Sequence, residues 1–253
     1  MKIIIYTALV LLFIQAQAFS QDTGGYGSVQ LTSFANGSAV IGLDGNSTVS
    51  TLDRIRTSRN LEGTPFYNED WKPGIVLINN DLKSGEVMLK YNPYQNLVFF
   101  KEKKAENVLA LNNEFVTGFI LNKDSGKAFF KNGFNAKDND INRYTFFRVL
   151  HDGSVKLLVH HRTYVRKSQT NAFASGTISN EFRHKEDYYI QPAEGKNLQE
   201  ISLKKKDLFD HIDEKYHNQL ENYADKNDLD FDEEKGMSNI LGYYEQLITK
   251  ADK

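Results

Sequence analysis

Cysteine is absent from this chain of 253 residues, and its absence removes several kinds of chemistry at once. Without thiols there is no disulfide, no thiolate metal ligand and no cysteine nucleophile. Proline is scarce, at four residues, which excludes a long polyproline linker. The net charge is only −2, so the sequence does not indicate the strongly basic surface of a nucleic-acid-binding protein.

Long apolar runs are also missing, apart from one at the start of the chain. Residues 3–14 form a mostly apolar run that follows a basic start. Ala16 and Ala18 then form the small-x-small pattern that signal peptidases cut. Because the run is too short to span a bilayer as a helix, we predict a signal peptide over residues 1–18. The mature protein is expected to begin at Phe19, to be secreted or periplasmic, and to contain no transmembrane segment.

Residues 19–60 are rich in Gly, Ser, Thr and Asn, and two interpretations of them stay open. One is a flexible, exposed leader. The other is a weak hairpin that turns at Asn36-Gly37, because that dipeptide tolerates positive φ at both positions.

Aromatic residues reach 12% of the chain, with 17 Phe and 13 Tyr, and this enrichment favours strands. Residues 61–203 contain short apolar runs separated by turn residues, with no helical pattern between them. We therefore predict a mainly β (α+β) fold, in which this region is an antiparallel meander, sandwich or barrel-like. The predicted strands are Gly74–Ile78, Glu86–Tyr91, Leu97–Lys101, Val108–Leu111, Phe115–Leu121, Ala128–Lys131, Tyr144–Leu150, Val155–Val165, Tyr188–Gln191 and Leu198–Leu203.

The strongest turn signal is Asp152-Gly153, which predicts a two-residue hairpin turn with positive φ at Gly153. In that register the numbers of paired residues sum to 305. His160 and His161 then lie on opposite faces of one strand, so they cannot share a metal ion. The polar residues 166–187 that follow predict a long loop between strands.

Residues 204–253 change to a helical pattern and carry an excess of five negative charges. Two apolar stripes with helical spacing predict an acidic helical hairpin, packed on itself or on the sheet and separable from the β domain. The first stripe is Leu208, Ile212, Tyr216, Leu220 and Tyr223; the second is Met237, Ile240, Leu241, Tyr244, Leu247 and Ile248.

Two clusters are candidate binding sites. Phe66, Tyr67 and Trp71 lie within six residues beside carboxylates, a composition that suits sugar stacking but is also typical of packing at the edge of a β domain. Asp228 and Asp230, with Asp232, offer alternating oxygen ligands for calcium. The glycine of an EF-hand loop is missing, and capping of the next helix explains the acidic residues as well. No cofactor is predicted.

Several aromatic and turn segments occur in an order that resembles a known family. They are Glu62–Gly74, Tyr144–Leu150, Glu186–Ile190, Lys204–Phe209 and Tyr243–Leu247. In this order they resemble an uncharacterised family of small secreted bacterial β-rich proteins, whose function is unknown. The resemblance covers roughly residues 61–248, implies export from a bacterium, and implies no activity.

Hydrolase, metalloprotease, phosphate-loop and dinucleotide-binding motifs do not occur in the sequence. We therefore expect an exported, non-enzymatic protein of the bacterial envelope or extracellular space that binds another macromolecule, such as a protein or glycan of the cell envelope. One alternative is a carbohydrate-binding module that uses the Trp71 region. The other is a secreted hydrolase whose dispersed catalytic residues surround His151, His160 or His161, since a catalytic triad leaves no local motif.

Overall fold

The computed structural model describes residues 28–29, 40–41, 61–78, 82–101, 108–123, 126–137, 140–167 and 180–251. The predicted signal peptide and the turn at Asn36-Gly37 lie outside these ranges. Within them the protein is mainly β, with a helical C-terminal region, as the sequence predicts.

The described strands join in one mixed, open sheet. They are β1 (Ser28–Val29), β2 (Val40–Ile41), β3 (Leu61–Glu62), β4 (Lys72–Ile78), β5 (Leu82–Ser84), β6 (Val87–Asn92), β7 (Leu97–Lys101), β8 (Leu109–Leu111), β9 (Val116–Lys123), β10 (Gly126–Lys131), β11 (Phe147–Asp152), β12 (Lys156–Lys167), β13 (Asn180–Gln191) and β14 (Gln199–Ile201). The order along the sheet is β14-β13-β12-β11-β10-β9-β4-β6-β7-β8-β2.

Most neighbouring strands are antiparallel and consecutive, as in a meander, but β4 departs from this pattern. It lies between β9 and β6, so the chain leaves the sheet order at this strand and returns to it with β9. Gly74 pairs with both neighbours, and a side chain there would overlap the backbone of Ile120 and the side chain of Leu89. The two short parallel pairs, β1 with β5 and β3 with β13, make the sheet mixed. β1 pairs with β5, and β2 pairs antiparallel with β8 at the edge of the sheet.

Two segments that the sequence predicts as turn or loop are strands. β5 lies between the predicted strands Gly74–Ile78 and Glu86–Tyr91, where the sequence indicates only turn residues, and β12 and β13 extend into the predicted loop at residues 166–187. β12 and β13 form twelve consecutive antiparallel pairs. The polar residues of this ribbon are compatible with a strand because the pairing strand satisfies the backbone and the outer face meets water.

The predicted register of the β11–β12 hairpin is wrong. Asp152 pairs with Lys156, which gives a sum of 308, and an irregularity precedes His151. The turn therefore contains three residues, and Gly153 does not adopt positive φ. A Cβ atom at Gly153 would overlap the carboxylate of Glu245 and the ring of His151, so those side chains would have to move.

The C-terminal region consists of helices α1 (Lys205–Phe209), α2 (His217–Lys226) and α3 (Glu234–Ala251), with a 3-10 turn at Glu214–Tyr216. The first predicted helix is thus divided. Asp213 accepts a hydrogen bond from the backbone of Lys215 and starts the 3-10 turn, which interrupts the helix.

The helices do not form a core of their own. They share one cluster with the sheet, which we call the helix–sheet cluster: Val155, Leu157 and Ile190 from the sheet side pack with Leu208, Ile212, Tyr216, Leu220, Ala224, Met237, Ile240, Leu241 and Tyr244. A second cluster, rich in phenylalanine, lies between β4, β6, β7, β9 and β10. None of the helices described here is both long and apolar enough to cross a membrane.

Candidate functional site

The aromatic residues that the sequence singles out do not form one exposed platform. Phe66 is 3% exposed and packs edge-on against Phe99. Tyr67 packs against Phe130 in a different cluster, at 5.2 Å between ring centroids. Trp71 is half-buried beside the Phe66 cluster. The three rings therefore contribute mainly to packing. Packing at the edge of a β domain is the alternative to sugar stacking that the composition of this segment leaves open.

The acidic candidates Asp228, Asp230 and Asp232 are exposed in the loop before α3. Within the described ranges, no three His, Asp or Glu side chains are grouped so that they could hold a metal ion. The backbone of Asp230 instead lies against Gly236 so closely that any side chain at Gly236 would overlap it. The loop thus packs tightly against the first turn of α3.

His161 lies on the inner face of β12 and is 7% exposed. Its Nδ1 is 3.1 Å from Oε1 of Glu186, and its Nε2 accepts a hydrogen bond of 2.9 Å from Nε of Arg148. A ring that accepts at Nε2 and faces a carboxylate at Nδ1 is neutral, with its proton on Nδ1. Arg148 also donates from both terminal nitrogens to Glu234, the first residue of α3. Tyr188 donates a hydrogen bond to the same carboxylate.

Burial and charge together set the protonation of this network. Burial lowers the pKa of His161, and the hydrogen bond with Glu186 offsets this only in part. The same hydrogen bond holds the pKa of Glu186 below its usual value. Burial acts to lower the pKa of Arg148, but the bonds to Glu234 outweigh it, so that pKa lies above its usual value. Burial, with the negative charges nearby, raises the pKa of Tyr188 to about 12.

This network joins three strands to a helix. Both ring nitrogens of His161 are occupied by protein groups, so neither is available to exchange a proton with a substrate. A cavity of about 330 Å³ borders Arg148, Glu234 and Ser238, whose side chains are engaged in holding α3 against the sheet. These contacts therefore connect β11–β13 to α3, and we call the network the His161 latch.

His160 lies on the opposite face of β12, as strand geometry predicts, and its ring lies 5.3 Å from that of Phe147. His151 is close to Glu245, at 3.8 Å, but the Glu245 carboxylate accepts hydrogen bonds from Ser154. The three histidines therefore lie in separate surroundings and do not meet around one cleft.

A larger cavity, of about 870 Å³, lies beside β14. Its lining is mostly apolar and includes Tyr189, Pro192 and Leu198, with Lys137 and Lys196 as its cationic groups. Leu198 is held there by a backbone hydrogen bond to Asn135.

A different surface combines exposure, aromaticity and charge: the outer face of the β12–β13 ribbon. Tyr164 lies in its middle and is 44% exposed, which makes it one of two large hydrophobic side chains so exposed among the described residues. It pairs directly with Arg183, and the next outer-face pair joins Arg162 to Lys185. On the other side Arg166 pairs with Glu181. Because paired residues point to the same side of a sheet, these side chains share one face. We call it the Tyr164 face.

Two carboxylates hold the four cations of the Tyr164 face in place. Asp187, which is 5% exposed, binds both Arg162 and Lys185. Glu181 binds both Arg166 and Arg183, and the hydrogen bond from Arg183 lowers the pKa of Glu181. Glu62 of β3 pairs with Glu181 and adds a third carboxylate, so the described part of the face has an excess of one positive charge. All four cations remain between 36% and 59% exposed.

Sequence reasoning does not find the Tyr164 face, because it takes residues 166–187 as a loop. The signal that could have revealed it is the alternation along β13, where Glu181, Arg183, Lys185 and Asp187 are charged at every second position. Period-two alternation indicates a strand, even when the residues between are also partly polar.

No family model, no curated protein and no solved structure matches the chain. The function of this protein is therefore inferred from its own residues.

Proposed function

We propose that this is an exported, non-enzymatic binding protein of the bacterial envelope or extracellular space, and that it holds an anionic macromolecule on the Tyr164 face. The observation that carries the proposal is the exposed ring of Tyr164 surrounded by four cations, on a face that also contains three carboxylates. The sequence pattern of residues 1–18 and the resemblance to small secreted bacterial β-rich proteins support export.

The composition of the face is that of an interface. Tyrosine and arginine are the residues that binding surfaces favour, because each offers a large contact area together with hydrogen-bond donors. The Tyr164 side chain has no hydrogen bond or ring contact within the described residues, so a partner would gain contact without breaking one. An isolated exposed tyrosine would be unremarkable in itself; its cationic surroundings give it significance.

The charge of the face selects the partner. The four cations outnumber the three carboxylates of the described face, and one of these carboxylates, Asp187, is buried beneath them. Arginine retains spare donors after it has bound one carboxylate, since its guanidinium carries five N–H groups. An anionic polymer can therefore bind without displacing Asp187 or Glu181, and its approach is favoured by long-range attraction at low salt.

The test is the binding of the mature chain, residues 19–253, to immobilised anionic polymers at two salt concentrations. We use polygalacturonate and poly-glutamate as probes and compare the double variant Arg183→Gln, Lys185→Gln with the control Lys127→Gln, Lys206→Gln. Both pairs remove two exposed lysine or arginine charges. We expect binding to at least one polymer to weaken with salt, and to fall about tenfold in the first variant only.

If both double variants weaken binding equally, the attraction is a property of the whole chain, and the Tyr164 face is not the site. If neither polymer binds at low salt, the proposed function is wrong.

A further inference from the structure

We infer that the anionic macromolecule is an acidic glycan, a polysaccharide whose sugar rings carry carboxylates. This inference rests on the proposed function and adds the chemical class of the partner. It depends on the position of Tyr164 among the cations, and not only on their number.

The strand geometry places cations around the ring in a regular pattern. Residues two apart on a strand are about 6.6–6.8 Å apart on the same face, and neighbouring strands are about 4.7–4.9 Å apart. Arg162 and Arg166 therefore flank Tyr164 along β12, and Arg183 lies directly across from it on β13. Lys185 completes the set on the diagonal. A ring of one sugar could thus lie on the tyrosine while its carboxylate reaches a guanidinium.

The two kinds of contact suit the two parts of an acidic sugar. The C–H faces of a sugar ring are apolar and pack on the flat face of an aromatic side chain. A carboxylate accepts two parallel hydrogen bonds from arginine, in the planar geometry that lysine does not provide. Three of the four cations on the face are arginines. Both contacts are available within one sugar unit, because Tyr164 and Arg183 are directly paired.

The cations are also held in place before any partner arrives. Asp187 fixes Arg162 and Lys185, and Glu181 fixes Arg166 and Arg183, on a ribbon of twelve paired residues. Ordering a long side chain on binding costs free energy, so cations that are already ordered bind with less loss. A stiff, repeating polymer is the partner that gains most from such a fixed array.

Other anions match the face less completely. An acidic polypeptide would bind the cations but has no ring to place on Tyr164. An anionic membrane would need several apolar anchors, whereas Tyr164 is the single large apolar side chain that is so exposed on the described part of this face. A single-stranded nucleic acid can stack on tyrosine, and it is therefore the necessary competitor in the test.

The experiment measures the affinity of the mature chain for four soluble probes by isothermal titration. They are polygalacturonate, the methyl ester of polygalacturonate, poly-glutamate and oligothymidylate. The ester keeps the sugar rings and removes the charge, and poly-glutamate keeps the charge and removes the rings. The variants are Tyr164→Ala and Tyr164→Phe. The matched control is Tyr94→Ala, because Tyr94 is 48% exposed and its ring packs on Phe182, away from the Tyr164 face.

We expect polygalacturonate to bind at least tenfold more tightly than the ester, poly-glutamate or oligothymidylate. Tyr164→Ala should weaken polygalacturonate binding roughly three- to tenfold, on the scale of aromatic contacts. Tyr164→Phe should retain most of the affinity, since it keeps the ring, and Tyr94→Ala should not change it. Circular dichroism of each variant establishes that the fold is intact.

Two results would overturn the acidic-glycan inference while leaving the proposed function in place. One is poly-glutamate binding as tightly as polygalacturonate with no effect of Tyr164→Ala. The other is oligothymidylate binding more tightly than either. A failure of all the anionic probes to bind would overturn the proposed function as well.

Discussion

Replacing Leu241 with aspartate tests whether the helices and the sheet unfold as one unit. Leu241 is completely buried in the helix–sheet cluster. Truncating such a residue to alanine costs about 2–5 kcal/mol, and an uncompensated buried charge adds several more. The whole free energy of unfolding of a domain is about 5–15 kcal/mol, so Leu241→Asp should remove most of it.

The lost stability could affect the helices alone or the helices and the sheet together. Leu157 and Ile190 belong to the sheet, are completely buried, and pack in the same cluster as Leu241. Release of the helices would expose both, at about 1.5–3 kcal/mol for each fully buried side chain. The sheet would thus be weakened by the departure of the helices, and we expect both parts to unfold together. The sequence, by contrast, predicts residues 204–253 as a separable unit.

Two spectroscopic probes separate these outcomes. Far-UV circular dichroism at the helical minimum follows α2 and α3, and the fluorescence of Trp71, the only tryptophan in the chain, follows the distant cluster around Phe66 and Phe99. In a denaturant titration of Leu241→Asp the two transitions should coincide at a lowered midpoint. The control, Gln246→Asp on the exposed side of α3, should change little. A helical signal that is lost first, with the Trp71 midpoint unchanged, would refute the reasoning and support the separable unit.

Two further predictions concern the contacts of the sheet with α3 and the His161 latch. Gly153→Ala should lower the free energy of unfolding by about 0.5–1.5 kcal/mol, because the new Cβ displaces the Glu245 carboxylate from its hydrogen bonds with Ser154. Gly85→Ala, in open space, should change it little, and equal melting temperatures of the two variants would contradict this. The pKa of His161 is lower in the folded protein than in the unfolded chain, so the unfolded chain is protonated first as the pH falls. The free energy of unfolding therefore has its full His161 contribution above the unfolded pKa near 6.5 and decreases below that pH. Glutamine does not titrate, so in His161→Gln the free energy of unfolding, measured by chemical denaturation, should fall less steeply between about pH 7 and pH 5. Part of the fall should remain, because burial lowers the pKa of His151 as well. An unchanged dependence of the unfolding free energy on pH would show that the latch does not titrate.

Local pattern was sufficient where strands are short and apolar. The run 97–101 was predicted with its observed bounds, and several others differ by one to three residues at an end. In these strands buried residues alternate or run continuously between turn residues, so the chain itself contains the signal. The same holds for α3, whose apolar stripe faces the sheet.

Long-range contacts decided the rest. Asp152-Gly153 favours a two-residue turn by itself, yet the hairpin has a three-residue turn. Glu245 of α3 accepts hydrogen bonds at Oε1 from the backbone N–H groups of Ser154 and Val155 in this turn. A residue 91 positions away from Ser154 in the chain thus helps to set the turn, and no local rule contains it. The division of the first predicted helix has a local cause, the cap at Asp213. The apolar stripe favours one continuous helix and the cap favours a break, and the spacing of the residues alone does not decide between them.

The Tyr164 face shows why function was harder to predict than fold. Tyr164 was assigned to a strand, while Arg183 and Lys185 were assigned to a loop, so only the observed register brings the three together. The ion pairs with Glu181 are exposed and add little to stability, and the buried Asp187 keeps Arg162 as its partner when Lys185 is replaced. Four ordered cations around an exposed ring therefore contribute little to holding this fold. Replacing Arg183 and Lys185 should accordingly leave the melting temperature almost unchanged and alter binding alone, which is the behaviour of residues that serve a partner.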